Sequence, residues 1–343
     1  MRRLGNTLYI LSDDLYLTVD GMNVVAKRQG AEMGRIPLHT LASIYSFSYM
    51  GASPALMGRC ADEGIELAFF TSSGRFLADV AGMPHGNVLL RQRQSLMSQN
   101  REQCLVVSKN FILAKVFNSK WVLERCIRDH GMRVDVDSLK RASQMLSSSL
   151  RALKSCSSIE SLRGIEGDAA AEYFAVFNEL VLNTDKAFEF RGRNKQPPLD
   201  PVNAMLSLFY TMLSLDCSSA LRGAGLDPYI GFMHTDRPGR RSLALDCMEE
   251  LRPILVDRFV LTVINNRTIK AKHFETRENG EVRLTDDGRK VLFDAWQEKK
   301  REVVTHPFLH EKMPYGLVPY VQAQLLAQYV RGDIDGYPPF MWK

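Results

Sequence analysis

The sequence lacks most of the motifs that mark nucleotide-binding and zinc-binding proteins. Its 343 residues include six cysteines, widely scattered and with no CxxC pair. This spacing excludes zinc-finger sites and predicts reduced core thiols. The chain also has no Walker A or Rossmann glycine loop, no HExxH motif, no internal repeat and no low-complexity tract. Function must therefore be read from less regular features.

Strong charge and long apolar runs are also missing. The 44 basic and 39 acidic residues leave a net charge of +5, which is too mild to indicate nucleic acid by itself. No segment approaches the roughly 20 apolar residues that span a bilayer. The first residues, MRRLGNTLYILSDD, lack a signal-peptide core and cleavage site. We therefore expect a cytoplasmic protein with no membrane partner.

The periodicity of the apolar residues changes once along the chain. Residues 1–82 contain short strand-like segments separated by turn signals such as Asp20-Gly21. Residues 83–87 form a turn-rich linker, and residues 88–343 are dominated by helical spacing. The predicted fold class is α+β, with a small amino-terminal β-sandwich-like domain followed by a larger all-α domain.

Basic residues cluster in two places. From residue 88 to about 130 they are interleaved with helical apolar spacing, and we favour a solvated helix face there over a nucleic-acid surface. The polar, proline-rich segment 185–201 contains Arg191, Arg193 and Lys195. Such a loop is a natural place to contact a phosphate backbone.

The most informative stretch runs from residue 234 to 253, HTDRPGRRSLALDCMEELRP. Ser242 is the expected N-cap of a helix, because its hydroxyl can accept from the first unpaired amides. Three apolar residues then recur every four positions and indicate a buried face: Leu243, Cys247 and Leu251.

Three carboxylates lie on this predicted helix. Asp246 is three residues before Glu249 and four before Glu250, so each pair shares a face. Neighbouring carboxylates repel one another unless a positive group lies between them. A divalent metal, with His234 reaching in from the preceding loop, would supply that charge.

A further carboxylate, Glu166, lies in the helical segment SLRGIEGDAAAEYFAVFNELV. Gly164 and Gly167 flank it, although glycine inside a helix costs about 1 kcal/mol. Small flanking residues would allow a ligand or another backbone to approach the carboxylate. An isolated helical glutamate is nevertheless usually a surface residue.

Together, Glu166, His234, Asp246 and Glu249 form a mostly oxygen ligand set, which favours Mg²⁺ or Mn²⁺ over zinc. Such a metal could act on phosphodiesters. Arginines between the candidate ligands could then contact phosphates: Arg237, Arg240 and Arg241. The competing interpretation is an acidic helix start beside an exposed loop, and spacing alone slightly favours it.

Three segments of the chain resemble the CRISPR-associated Cas1 family of adaptation nucleases and integrases: LRGIEGDAAAEYF, DPVNAMLSLFYTML and GLDPYIGFMHTDRPGRRSLALDCMEELRPILVDRFVLTVIN. The order of a glutamate, an asparagine-containing core helix, a histidine and LxxDxxE matches that family. The β-rich start and the closing YPPFMWK match it too. The likeness is greatest to the version found with type I-C systems.

The resemblance implies an amino-terminal domain that dimerises, a helical catalytic domain and assembly with the small partner Cas2. By position, Glu166, His234 and Glu249 match metal ligands, and Asp246 matches a nearby acidic site residue. Whether Asp246 or Glu250 also binds the metal stays open.

The activity implied by the resemblance is that of a metal-dependent DNA integrase and endonuclease. The 3′-hydroxyl of a captured DNA fragment, the spacer, would attack a phosphodiester at the CRISPR repeat, and the reverse reaction would act on branched DNA. Two alternatives are a general metal-dependent nuclease for branched DNA or RNA in repair, and a non-catalytic DNA-binding scaffold.

Overall fold

The amino-terminal part of the chain forms two small sheets. The computed structural model describes residues 6–71, 74–80, 82, 88–194 and 196–343. The strands are β1 (Asn6–Ile10), β2 (Tyr16–Asp20), β3 (Asn23–Arg28), β4 (Ala31–Pro37), β5 (Leu41–Ser46), β6 (Glu66–Phe70) and β7 (Phe76–Val80). Strands β2, β3 and β4 form an antiparallel sheet, whereas β1, β5 and β6 pair in parallel and β7 completes that sheet antiparallel. The parallel pairing of β5 with β6 requires a crossover, which helix α1 (Pro54–Glu63) provides.

The four-stranded sheet is covered on both faces. One face shares a small core with α1 and the three-stranded sheet, around residues such as Leu17, Ile44 and Leu56. On its other face, Tyr45 and Phe70 belong to the large core of the helical part. The strand-rich start and helical remainder confirm the predicted fold class. The predicted linker at residues 83–87 lies outside the described residues.

The rest of the chain is mainly helical. Its helices are α2 (Val88–Gln99), α3 (Arg101–His130), α4 (Val136–Ser155), α5 (Ile159–Ala175), α6 (Pro201–Gly223), α7 (Ser242–Met248), α8 (Arg258–Asn265), α9 (Asp286–Arg301) and α10 (Val318–Arg331). Two short antiparallel ribbons are added to them, β8 (Phe274–Thr276) with β9 (Val282–Leu284), and β10 (Val303–Thr305) with β11 (Lys312–Pro314).

Helix α6 is the central core helix that its apolar sequence predicts. Asp200 caps it by accepting from the amide of Asn203, and Pro201 occupies the first turn, where a missing N–H costs nothing. The expectation that no segment is apolar enough to span a bilayer is wrong for one described helix, since α6 is long and apolar enough by length and composition alone. However, 78% of its apolar window is buried inside the protein, as in the core helix of a globular protein.

The predicted helix over residues 242–253 is interrupted. Helix α7 ends at Met248, and the chain continues through a π-helical segment, Arg252–Asp257, into α8. Because a π-helix brings residues five positions apart onto one side, Arg252 and Asp257 both line the same cleft. This irregular segment therefore places two charged side chains together.

Glu250 anchors the end of the chain. It is completely buried, and its carboxylate accepts from the hydroxyl of Tyr337, from Gln322 Nε2 at 3.0 Å and from the amide of Phe340 at 2.7 Å. Burial raises the pKa of Glu250 to about 7, against the opposing effect of these hydrogen bonds. Its role within the described structure is to hold residues 337–340 against the helical core.

We expect Glu250→Ala to lower the free energy of unfolding by about 3 kcal/mol, because the buried Tyr337 hydroxyl and Phe340 amide would lose their acceptor and Gln322 Nε2 would lose one of several. Urea denaturation measures this effect. Glu278→Ala, at an exposed position, is the matched control and should change stability by less than about 0.5 kcal/mol. Equal stability of the two variants would contradict the anchoring role.

Candidate active site

Glu166 projects from the middle of α5. The helix begins after Ser158, whose hydroxyl accepts from the amide of Ser161. The side chain of Glu166 is 24% exposed, so it is neither a core residue nor a free surface group. A Cβ atom added at Gly164 or Gly167 would meet no described atom within 4 Å. The flanking glycines therefore face open space rather than another element.

Asp246 organises the loop that carries His234. Its buried carboxylate accepts from the amides of Phe232 at 2.7 Å, Met233 at 3.0 Å and His234 at 2.9 Å. The Nδ1 atom of His234 lies 2.6 Å from the same carboxylate. With a carboxylate as partner, Nδ1 carries the proton and Nε2 keeps its lone pair. Asp246 thereby orients the histidine as a metal-binding histidine is usually oriented.

The predicted capping role of Ser242 is wrong. Ser242 is the first residue of α7, and its hydroxyl donates to the carbonyl of Thr235 at 3.2 Å. The amides of Leu243 and Ala244 donate to the carbonyl of Pro228 instead. Because this carbonyl already satisfies the helix start, no side-chain cap is needed there. The hydroxyl instead connects α7 to the loop of residues 232–235, the histidine loop, which carries His234.

Arg163 connects this loop to α5. Its guanidinium donates to the carbonyl of Met233 and to the hydroxyl of Thr235, the latter at 3.2 Å. Arg163 precedes Glu166 by three residues, so the two side chains leave α5 on the same face. The contacts therefore bring the residues on either side of His234 to the face of α5 that bears Glu166.

A lysine lies between the two predicted glutamate ligands. The ammonium of Lys115, on α3, forms an ion pair with Glu166 and lies 2.8 Å from Glu249 Oε2. The lysine side chain is only 13% exposed. The contact between Lys115 and Glu249 is an ion pair rather than a well-directed hydrogen bond. The Oε2 atom of Glu249 is buried and has no hydrogen-bond partner among the described residues. Both glutamates thus converge on one cationic group.

Glu249 stays ionised despite its burial. It is 2% exposed, and desolvation alone would raise its pKa. The positive charges of Arg252, 3.0 Å from Oε1, and of Lys115 outweigh desolvation and lower the pKa of Glu249 to about 2. A full negative charge is therefore held at this position at neutral pH.

The donors fit a hard divalent ion, although they do not yet form a closed site. Among the described residues, no three histidine, cysteine, aspartate or glutamate side chains are gathered closely enough to hold a metal. The Lys115 ammonium lies between Glu166 and Glu249. Two carboxylates that share one cation supply the oxygen donors that hard divalent ions such as Mg²⁺ or Mn²⁺ prefer. Asp246 and Glu250 have their oxygens engaged elsewhere.

An open cleft of about 660 Å³ lies beside these groups. Lys115 and Glu166 line it, together with Arg193, Arg252 and Asp257. Burial raises the pKa of Asp257 to about 6, partly offset by a hydrogen bond from Tyr210. The cleft thus exposes three cations near the paired glutamates, which suits an anionic ligand.

The arginines predicted to bind DNA lie in different environments. Arg241 is tied to Asp79 at 2.8 Å and stacks on Phe76, so it joins the helical part to β7. Arg191 is highly exposed and pairs with Glu189. Arg193 donates to Asn203 Oδ1 at 2.7 Å and lines the cleft.

The loop after His234 carries the remaining two predicted DNA contacts. Arg237 is exposed and Arg240 is half-buried, and neither has an ion-pair partner in the described parts of the chain. Their charges are therefore available to an anionic ligand.

Sequence reasoning missed three cations around the site. Lys115 belongs to the segment assigned to a solvated basic face, yet it is largely buried beside acids. Arg252 could have been noticed, because it follows Glu249 by three residues on a predicted helix. Arg163 similarly precedes Glu166 by three residues. The partner of Lys115 lies 51 positions away, and local spacing carries no signal of that contact.

Comparisons with known proteins agree in sequence and in fold. The profile of the family described as CRISPR associated protein Cas1 matches residues 8–298. CRISPR-associated endonuclease Cas1 2 of Rhodospirillum rubrum is 48% identical over 347 residues, covering 100% of both chains. CRISPR-associated endonuclease Cas1 1 of Chlorobaculum tepidum is 45% identical over 343 residues, again with 100% of both covered.

Two solved structures share the fold at lower identity. A casposase bound to its integration product matches with a TM-score of 0.85 at 21% identity, over 98% of this chain and 94% of that one. A Cas1 protein from Thermotoga maritima matches with a TM-score of 0.80 at 22% identity, over 95% and 97%. Sequence and fold therefore lead to one conclusion: this chain belongs to the CRISPR-associated Cas1 endonuclease family.

Proposed function

We propose that this protein is a cytoplasmic, metal-dependent DNA integrase and endonuclease that inserts captured DNA fragments into a CRISPR array. The observation that supports this proposal most directly is the convergence of Glu166 and Glu249 on one cation, beside a histidine oriented by Asp246. The relatives agree with it, since they are named CRISPR-associated endonucleases, and one solved structure of the same fold is a casposase bound to an integration product.

In this proposal Glu166, Glu249 and His234 hold Mg²⁺ or Mn²⁺. When bound, such an ion supplies Lewis acidity that activates a hydroxyl and stabilises negative charge at phosphorus. Arg252 keeps Glu249 ionised, and Asp246 keeps Nε2 of His234 available as a donor. Arg193, in the cleft, would contact nonbridging phosphate oxygens.

The reaction that fits this site is a transesterification. The 3′-hydroxyl oxygen of the captured fragment attacks a phosphorus atom of the repeat DNA. The bond between that phosphorus and the 3′ oxygen of the preceding nucleotide breaks. The hydroxyl proton ends on the departing oxygen. One phosphodiester replaces another, so no external energy source is required, and branched DNA is the substrate of the reverse reaction.

We further propose that the protein works as a homodimer with a Cas2 partner on double-stranded and branched DNA. Among structures of the same fold is one described as a Cas6-RT-Cas1–Cas2 complex, which matches with a TM-score of 0.81 over 99% of this chain at 22% identity. Arg191, Arg237 and Arg240 are exposed or half-buried and suit contacts with the DNA backbone at the edge of the site.

Replacing Glu166 with Gln should reduce strand transfer into a repeat-containing duplex by more than about 100-fold. Loss of a metal ligand should cost more activity than loss of a residue that only supports a ligand, which typically costs about 10- to 100-fold. The assay uses the protein with its Cas2 partner and Mn²⁺. Glu160→Gln, an exposed glutamate on the same helix, is the control and should retain activity. Full activity of Glu166→Gln would contradict the site assignment, and equal activity on DNA without a repeat would favour a general nuclease.

Asp246→Asn should weaken Mn²⁺ binding by about 10- to 100-fold without removing a proposed ligand. The asparagine oxygen can still accept from the amides of Phe232 and Met233, but its NH₂ group would face the amide and Nδ1 of His234. That group would donate to Nδ1 and leave the ring proton on Nε2. Electron paramagnetic resonance titration measures free Mn²⁺ directly. An affinity equal to that of the wild type would show that the tautomer of His234 does not matter, and Asp168→Asn on α5 is the exposed control.

A further inference from the structure

Lys115 is positioned to compete with any metal at this site. Its ammonium is in direct contact with Glu166 and Glu249, the two carboxylates that would bind the ion. A divalent ion can contact the same oxygens only after the ammonium moves, because two cations cannot share that position without strong repulsion. The Lys115 ammonium is held by its contacts with these two carboxylates, although it could donate three hydrogen bonds.

The local charges explain why the exchange has a cost. Glu166 and Glu249 contribute two negative charges, and Lys115 and Arg252 contribute two positive ones, so this group is balanced. Adding a divalent ion leaves an excess of two positive charges in a largely buried place. An anion must therefore enter with the metal for the group to regain balance.

The cleft offers the ammonium a second position. Lys115 lines the cleft with Arg193 and Arg252, and the four-carbon lysine stem lets the ammonium swing without movement of α3. The other carboxylate on the cleft wall, Asp257, is already engaged by Tyr210. Within the described lining, then, an incoming ligand is the available source of negative charge, and a phosphodiester fits both the charge and the open cleft.

We propose that Lys115 is an exchangeable counter-ion that couples metal binding to DNA binding. It neutralises Glu166 and Glu249 until a divalent ion takes these carboxylates, and it then binds a backbone phosphate of DNA in the cleft. By linkage, DNA must tighten metal binding and the metal must tighten DNA binding by the same factor. This inference rests on the proposed function and assigns Lys115 as a positioning residue.

The test compares Mn²⁺ affinity in the wild type and in Lys115→Gln, with and without DNA. A fragment ending in a 3′-deoxy nucleotide prevents reaction, so binding alone is measured. Without DNA, Lys115→Gln should bind Mn²⁺ about 10-fold more tightly, because no ammonium competes for the carboxylates. With DNA, the wild type should gain more affinity than the variant does, since only the wild type has an ammonium to transfer to phosphate.

Two further variants keep the result interpretable. Lys120→Gln removes an ammonium on the same helix that pairs with Glu124, and it should match the wild type in both titrations. Lys115→Arg keeps the positive charge, so without DNA it should not bind Mn²⁺ more tightly than the wild type does. This variant provides a test even if Lys115→Gln folds poorly. Thermal unfolding gives a second measure, because Mn²⁺ should stabilise Lys115→Gln more than the wild type.

The proposed exchange is overturned if Lys115→Gln does not bind Mn²⁺ more tightly than the wild type without DNA. If Lys115→Gln does not fold, the exchange is overturned when Lys115→Arg binds Mn²⁺ more tightly than the wild type. It is also overturned if DNA raises the Mn²⁺ affinity of wild type and Lys115→Gln by the same factor. Failure of the proposed function looks different: Glu166→Gln would then bind Mn²⁺ as the wild type does. Thus the metal site can stand while the exchange fails.

Discussion

Four carboxylates are buried within twelve residues of the chain, and the structure around them is arranged to satisfy each one. Asp246, Glu249, Glu250 and Asp257 are all at most 2% exposed. A buried charge without partners is strongly destabilising, so each carboxylate requires donors or cations. The partners come from distant parts of the chain, and this requirement ties together α3, α6, the histidine loop and the carboxyl-terminal residues.

The partners that satisfy the four carboxylates differ. Asp246 is surrounded by backbone amides and His234, Glu250 by donors from residues 322–340, and Asp257 by a tyrosine hydroxyl. Burial raises the pKa of Glu250 to about 7 and that of Asp257 to about 6. Only Glu249 combines burial with two cations and a pKa lowered to about 2. It is therefore the carboxylate of this group best prepared to bind a metal.

Much of the fold could be predicted because its signals are local. Turn signals between short apolar segments predicted the strand-rich start, and helical apolar spacing predicted the helical remainder, including the core helix α6. The cap at Ser242 failed because the carbonyl of Pro228, which no local rule identifies, already pairs with the first amides. The type I-C likeness and the domain boundary remain predictions.

The candidate site was only half visible in the sequence for a related reason. Residue spacing and family likeness named Glu166, His234 and Glu249, but neither shows which cations pair with them. Glu249 and Glu250 follow the end of α7 at Met248, and neighbouring positions there have different partners: Glu249 contacts Lys115 and Glu250 contacts Tyr337. The contacts of Lys115 depend on the packing of α3 against α5 and the π-helical segment, which local sequence does not indicate.

The proposed function requires Glu166, His234 and Glu249 to hold one divalent ion together. The most direct measurement is a crystal structure of the protein with Mn²⁺ and branched DNA, using the anomalous scattering of manganese. We expect one peak in contact with both carboxylates and Nε2 of His234, with the Lys115 ammonium moved toward a phosphate. A peak at other residues, or an ammonium still between the two glutamates beside bound DNA and Mn²⁺, would contradict this expectation.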